Sequence, residues 1–184
     1  MQVNDRNRNA RNIGWLAAIS LFLHLGIAPS ITLAQGHPNF LFIFMGVVAL
    51  SIGGRTGVLT GFAAGVVFDL CSTGPFGLGA MLFPISAFFL GMEVRDRIAE
   101  EPVMTIIPFS LASLSVSLLY NISMLIYGAT GSFVEAVFYR GLPVAVLTTL
   151  FYVPYLLVLS HIHGGGMQKG ATGRHRARYT LGTR

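Results

Sequence analysis

Hydrophobic residues occur in six long runs along this chain, and short polar segments separate the runs. A membrane-spanning helix needs about 20 predominantly apolar residues, and about 17 is the lower limit. The first, fifth and sixth runs meet this length, whereas the second, third and fourth are marginal. We therefore expect six spanning helices, or five if the second and third runs form a re-entrant pair. The runs lie at 13–34, 40–52, 56–71, 76–92, 103–127 and 142–160.

The connections between the runs are too short to separate domains. Residues 53–55 join the second run to the third, and residues 72–75 join the third to the fourth. The pattern predicts an all-α protein with one membrane domain at 13–160, flanked by basic tails at 1–12 and 161–184. The first run is longer than the apolar core of a cleaved signal peptide, which is about 7–15 residues. We interpret it as a retained first helix.

The composition supports a membrane location. Hydrophobic residues make up 53% of the 184 residues and charged residues only 10%, against about 25% charged in soluble domains. A soluble enzyme domain and a disordered chain are therefore excluded. The single cysteine, Cys71, excludes an intrachain disulfide framework. We find no folded basic surface for nucleic acid.

The basic residues predict an orientation, because cytoplasmic loops of membrane proteins carry an excess of Lys and Arg. With six spans and a cytoplasmic start, eleven of the twelve Lys and Arg residues fall inside and only Arg140 falls outside. Both tails are then cytoplasmic. We expect the C-terminal tail to meet anionic lipid headgroups, or alternatively to dock a cytosolic partner. The inside set is Arg6, Arg8, Arg11, Arg55, Arg95, Arg97, Lys169, Arg174, Arg176, Arg178 and Arg184.

Small residues recur at every fourth position of the third run, at Gly53, Gly57, Gly61 and Gly65, and Asp69 continues the series. Four residues of α-helix turn through about 400°, so the series stays on one broad face. Lipid does not drive helices together, and small residues allow the close backbone approach that does. The stripe predicts a helix–helix contact, either within this bundle or with a helix of a partner protein.

Asp69 lies at the predicted outer end of this stripe. The loop at 72–79 that follows contains three glycines, which let it turn back tightly. Its backbone N–H groups are therefore expected to hydrogen-bond to the Asp69 carboxylate. Contact with a partner or ligand is the alternative role. A proton relay would need several ionisable groups in series, and the runs offer almost none.

The sequence gives no support for an enzyme. It contains no phosphate-binding loop, no HExxH or CxxC motif and no plausible Ser–His–Asp set. His161 and His163, two positions apart, do not share a helix face, so we expect no metal site and no cofactor.

Residues 38–92 contain the segments Pro38-Asn39-Phe40, Gly61-Phe-Ala-Ala-Gly65-Val-Val-Phe-Asp69-Leu70 and Gly74-Pro75-Phe76-Gly77-Leu-Gly-Ala80. These three segments resemble the MreD family of rod shape-determining membrane proteins. The chain departs from the family at Asn39, where aspartate is more frequent, and at Gly79, where histidine is frequent. The candidate structural or partner-contact residues are Arg55, Gly57, Gly61, Gly65, Asp69, Gly74, Pro75 and Gly77.

The resemblance implies a non-enzymatic scaffold in the cell-wall elongation machinery of a bacterium, in the cytoplasmic membrane. The implied partners are an MreC-like protein, the MreB cytoskeleton, a RodA-type glycosyltransferase and a class B penicillin-binding protein. The family's fold is similar to that of the substrate-binding subunits of energy-coupling-factor vitamin transporters. Such a vitamin-binding subunit is the alternative function, and it would need a polar pocket on the outer side.

Overall fold

The computed structural model describes residues 3–93 and 102–163. In this part of the chain the protein is all-helical, as the hydrophobic pattern predicts, and six α-helices follow one another in sequence. A 3-10 turn follows α1, another precedes α5, and a π-helical turn, Glu135–Gly141, leads into α6. The α-helices are α1 (Val3–Gly26), α2 (Phe40–Ser51), α3 (Gly54–Cys71), α4 (Leu78–Glu93), α5 (Ile106–Ile126) and α6 (Leu142–His163).

Among the described residues, three segments are long and apolar enough to cross a membrane, namely Arg11–Ser30, Val103–Ile126 and Glu135–Leu157. The segments Phe40–Ser51 and Leu78–Met92 are apolar but shorter. The three long segments correspond to the first, fifth and sixth hydrophobic runs, and the two shorter ones correspond to the marginal second and fourth runs.

The first helix differs from the prediction at both ends. It begins at Val3, inside the segment expected to be a tail, because no Gly or Pro interrupts residues 3–13. It ends at Gly26, although the apolar run continues to residue 34. Pro29 has no N–H to continue the α-helical ladder, and it lies in a 3-10 turn, Ala28–Ser30. The loop at 94–101 and the tail at 164–184, which carry many of the basic residues, lie outside the described residues.

Helix α2 forms the centre of the bundle. Every residue from Phe40 to Leu50 is buried, as expected for a helix that is hydrophobic on all sides. Helices α1, α3, α4 and α6 pack around it. The ring of Phe109 on α5 lies in the space left by the missing side chain of Gly46, and it stacks on Tyr152 of α6 with 3.7 Å between ring centroids.

Because successive helices alternate in direction, one end of the bundle collects the ends of α1, α3 and α5 with the starts of α2, α4 and α6. We call it the Asp69 end. Two hydrogen bonds tie it together: the backbone N–H of Asn39 donates to Thr148 Oγ1 at 3.0 Å, and Arg140 Nε donates to Gln35 Oε1 at 2.9 Å.

Candidate functional site

The Asp69 carboxylate caps the start of the next helix, as the sequence predicts. Its Oδ2 accepts from the backbone N–H groups of Gly77 and Ala80, each at 2.9 Å, and its Oδ1 accepts from that of Gly79 at 2.8 Å. The first N–H groups of an α-helix have no partner within the helix, and a negative charge there is favoured by the helix dipole. Asp69 is only 3% exposed, so these bonds lie in a buried junction between α3 and α4.

The same junction brings two backbones into contact at Gly65 and Gly79. A Cβ atom on Gly65 would overlap the carbonyl group of Gly79, and a Cβ on Gly79 would lie 2.7 Å from Asp69 Oδ1. Neither helix can therefore carry a side chain at this point without moving away. The close approach is what lets the Asp69 carboxylate reach the N–H groups of α4.

The rest of the glycine stripe is also covered by this chain. A Cβ on Gly61 would lie 3.0 Å from Ala87 Cβ on α4, and one on Gly57 would lie 3.0 Å from Ala49 Cα on α2. All three stripe glycines of α3 are buried. The stripe is thus an internal helix–helix surface, the first of the two arrangements that its spacing predicts. Arg55 is exposed at the opposite end of α3 from Asp69.

The loop between α3 and α4 is held by α5 as well as by Asp69. Tyr120 donates a hydrogen bond from its hydroxyl to Ser72 Oγ at 3.1 Å, and its hydroxyl occupies the space where a Cβ of Gly74 would lie. Gly77 has a φ of +104°, a conformation that favours glycine. Pro75 lies half-buried between these two glycines, and the Phe76 side chain is 69% exposed.

A cavity of about 680 Å³ opens at the Asp69 end. Residues of all six helices line it, together with the α3–α4 loop. Of the eight candidate residues only Gly74 lines this cavity; Gly65, Asp69 and Gly77 form the capped junction, and Gly57 and Gly61 lie along the internal surface.

Arg140 is fixed at the cavity wall by two partners. Its Nη2 pairs with Glu135 Oε1 at 2.9 Å, and its Nε donates to Gln35 Oε1 at 2.9 Å. Five positions separate Glu135 from Arg140 in the predicted outer connection, and from the sequence alone we expect an ion pair between them to be exposed and weak. Both side chains are instead only 29% exposed, because the π-helical turn and the segment after α1 pack against each other through the Gln35 N–H bond to the Tyr139 carbonyl.

His24 is a cavity residue that the sequence pattern did not identify as a site. Its Nδ1 atom is buried and has no hydrogen-bond partner in the described structure. In the sequence it is a single polar residue in an apolar run, and the other polar lining residues lie up to 124 positions further along, at Thr148. No local spacing connects them, so only the fold reveals the group. Within the described residues, no three His, Cys, Asp or Glu side chains lie close enough together to hold a metal ion.

In residues 3–93 and 102–163 the structure has six α-helices, and three segments are long and apolar enough to cross a bilayer, which defines a helical membrane protein. Within that class, the family model described as rod shape-determining protein MreD matches residues 9–161. The match covers most of the chain, and the chain therefore belongs to the MreD family. This is a family of shape-determining proteins that is not known as enzymatic. No curated protein and no solved structure gives a significant match to the chain.

Proposed function

We propose that this chain is a non-enzymatic membrane scaffold of the bacterial cell-wall elongation complex. The observation that carries the proposal is the family match over residues 9–161, which extends well beyond the segments that suggested the family from the sequence. The internal architecture supports the same role, since close backbone contacts at the stripe glycines and the buried Asp69 cap hold α2, α3 and α4 together.

We further propose that the scaffold crosses the cytoplasmic membrane six times, with the segments at both ends of the chain in the cytoplasm. This orientation is supported by the basic residues, since it places eleven Lys and Arg residues on the cytoplasmic side and one on the outer side. In this orientation the Asp69 end faces the outside of the cell. Helices α2 and α4 are shorter than typical spans. Helix α2 is enclosed by the other helices, whereas α4 presents exposed apolar side chains such as Phe88 and Phe89.

The proposed partner contact is the loop between α3 and α4. Asp69 is too buried to touch a partner itself, but it holds the loop in one conformation. On that loop Phe76 is 69% exposed and Thr73 is also exposed. An exposed aromatic ring on a rigid loop is a typical anchor in protein interfaces. The expected partner at this loop is the MreC-like protein, which carries a large external domain. The RodA-type glycosyltransferase and the class B penicillin-binding protein are expected as further members of the same complex, and MreB is expected on the cytoplasmic side.

The alternative, a vitamin-binding subunit of an energy-coupling-factor transporter, is less well supported. The family match favours the cell-shape role. A vitamin-binding subunit would also need a polar cavity like the one at the Asp69 end. Such a cavity can bind a small molecule whether or not the protein takes part in transport.

A pull-down from native membranes in mild detergent tests the proposal. The tagged full chain should recover an MreC-like protein and wall-synthesis enzymes, identified by mass spectrometry. Recovery of paired ATPases with a coupling membrane protein would instead establish the transporter function.

Loop variants test the proposed contact site. Phe76→Ala should reduce recovery of the MreC-like protein and produce rounded cells while the protein still inserts and folds. Phe133→Ala is the matched control, because Phe133 is 58% exposed in the connection between α5 and α6, also at the Asp69 end. If Gly61→Leu, Asp69→Ala and Phe76→Ala all support normal rod growth and partner recovery, the roles assigned to the stripe and the loop are wrong.

A further inference from the structure

The cavity at the Asp69 end has the size and wall chemistry of a ligand site. Its volume of about 680 Å³ falls in the range of roughly 300–1,000 Å³ typical of small-molecule pockets, which combine apolar walls with a few polar groups. Aromatic and thioether side chains from four helices supply the apolar wall, including Phe42, Phe68, Phe83 and Met124.

The polar wall combines several hydroxyl groups with nitrogen groups, and its charged side chain is basic. Arg140 is its one permanently charged side chain, and the imidazoles of His24 and His37 and the amides of Asn121 and Gln35 accompany it. No Asp or Glu side chain from the described ranges lines the cavity. Glu135 holds Arg140 in place without lining the cavity itself.

Part of this polar wall still has hydrogen-bonding capacity. The two hydrogen bonds of Arg140 use Nε and Nη2. Its other terminal nitrogen, Nη1, takes part in neither bond. The His24 Nδ1 atom is buried without a partner, and a buried polar atom costs free energy until it gains one. A ligand that offers an acceptor to Arg140 and a polar atom to His24 would give both side chains a further hydrogen-bond partner.

We propose that this cavity binds an amphiphile whose anionic head, a phosphate or a carboxylate, lies against Arg140 and whose apolar part lies against the aromatic wall. Arginine pairs with such oxyanions through charge-assisted hydrogen bonds. The site does not depend on the partner contacts of the scaffold. The same chemistry is found in the headgroup and acyl chains of an anionic lipid and in a soluble aromatic phosphate, and the experiment separates these sources.

Native mass spectrometry of the delipidated full chain in a neutral detergent counts the bound molecules. The probes are dioctanoyl phosphatidylglycerol, dioctanoyl phosphatidylcholine and phenyl phosphate. We expect one molecule of an anionic probe per chain, bound at least about tenfold more tightly than the zwitterionic lipid. Binding of phosphatidylglycerol alone indicates a lipid ligand, and binding of phenyl phosphate indicates a soluble one.

Two variants and a control locate the site. Val144→Phe, on the cavity wall, should weaken binding of the anionic probe by about tenfold or more by filling the space. Val146→Phe, on the same helix but 56% exposed, should bind as the parent chain does. Arg140→Gln removes the charge without filling the cavity, and it should weaken the anionic probe and leave the zwitterionic lipid unchanged. Circular dichroism and gel filtration verify that each variant folds.

Several results would overturn the proposal. The first is that neither anionic probe binds in a saturable way. The second is that phosphatidylcholine binds as well as phosphatidylglycerol, or that Arg140→Gln binds the anionic probe as the parent chain does, since either result removes the role of the charge. The third is that Val144→Phe and Val146→Phe behave alike, which would place the bound molecule on the lipid-facing surface.

Discussion

Three backbone N–H groups at the start of α4 depend on one buried carboxylate, that of Asp69. The sequence indicates this dependence, because an acidic residue at the end of an apolar helix precedes a glycine-rich loop. The structure adds that the loop returns through Gly77, which has a positive φ, and that Gly65 and Gly79 allow the backbones to touch. At the residue scale, the contact between α3 and α4 therefore depends both on the Asp69 carboxylate and on the absence of side chains at Gly65 and Gly79.

Asp69→Ala should lower the free energy of unfolding by about 2 kcal/mol or more. Each buried donor that loses its partner costs roughly 1–3 kcal/mol. Asp69→Asn should also destabilise, because an amide nitrogen would face a backbone N–H group. Unfolding in a denaturing-detergent titration measures both. Leu70→Ala is the control, since that neighbouring side chain is 70% exposed; an Asp69→Asn chain as stable as the parent would refute the acceptor role.

Gly65→Ala should destabilise the bundle, whereas Gly14→Ala should not. The new Cβ at residue 65 overlaps the Gly79 carbonyl group, but at residue 14 no heavy atom lies within 4 Å. Overpacking of this kind typically costs about 1–3 kcal/mol. Thermal unfolding of the two variants in the same detergent checks the difference. Equal melting temperatures would mean that α3 and α4 do not approach as closely as the structure has them.

At the scale of elements, α2 is the central helix, and α1, α3, α4 and α6 pack around it. Its first turn is capped by Asn39, whose Oδ1 accepts from the Phe42 N–H at 3.0 Å. The Asn39 N–H in turn donates to Thr148 on α6, which is 1% exposed. One residue thus begins the central helix and attaches it to the last helix, 109 positions away.

Thr148→Val should destabilise the attachment of α6 to α2, because it keeps the side-chain shape but removes the acceptor for a buried N–H group. The expected loss in the free energy of unfolding is about 1–3 kcal/mol. Thr149→Val, at the next position, is the matched control, since the structure gives Thr149 no part in this bond. The denaturing-detergent titration distinguishes them. No difference between the two variants would show that the bond contributes nothing measurable.

At the scale of the whole molecule, the two ends of the bundle differ in character. The Asp69 end carries the cavity, the capped loop and the Arg140 network. The opposite end carries Arg55 and the close contact between Gly53 and Gly91. The proposed orientation places the ends on different sides of the membrane, which labelling can decide.

Thr73→Cys in a Cys71→Ser background should react with a membrane-impermeant maleimide added to intact spheroplasts. Thr73 is exposed at the Asp69 end, which the basic residues predict to lie outside. Arg55→Cys in the same background should react only after lysis, because Arg55 is exposed at the other end. Gel shift or mass spectrometry reads the labelling. The reverse pattern would invert the orientation.

The hydrophobic pattern predicted the helices well and their ends less well. It located α2 to α6 within a few residues, since helix length and apolar composition are local properties. It placed the end of the first helix too late, because hydropathy does not record that Pro29 lacks an N–H donor. It also described the Glu135–Arg140 pair as exposed, since burial by the loop at Gln35 is a long-range effect.

The sequence by itself determined the helical membrane class, the family resemblance and the hydrogen bonding of the Asp69 carboxylate to the loop that follows it. These features depend on composition, on a repeat of four residues and on a loop of a few residues, all of which are local along the chain. The partner of the glycine stripe and the cavity were decided only by the tertiary structure. Polar residues as far apart as His24 and Thr148 become one wall only when the six helices pack together, and no spacing along the chain encodes that packing.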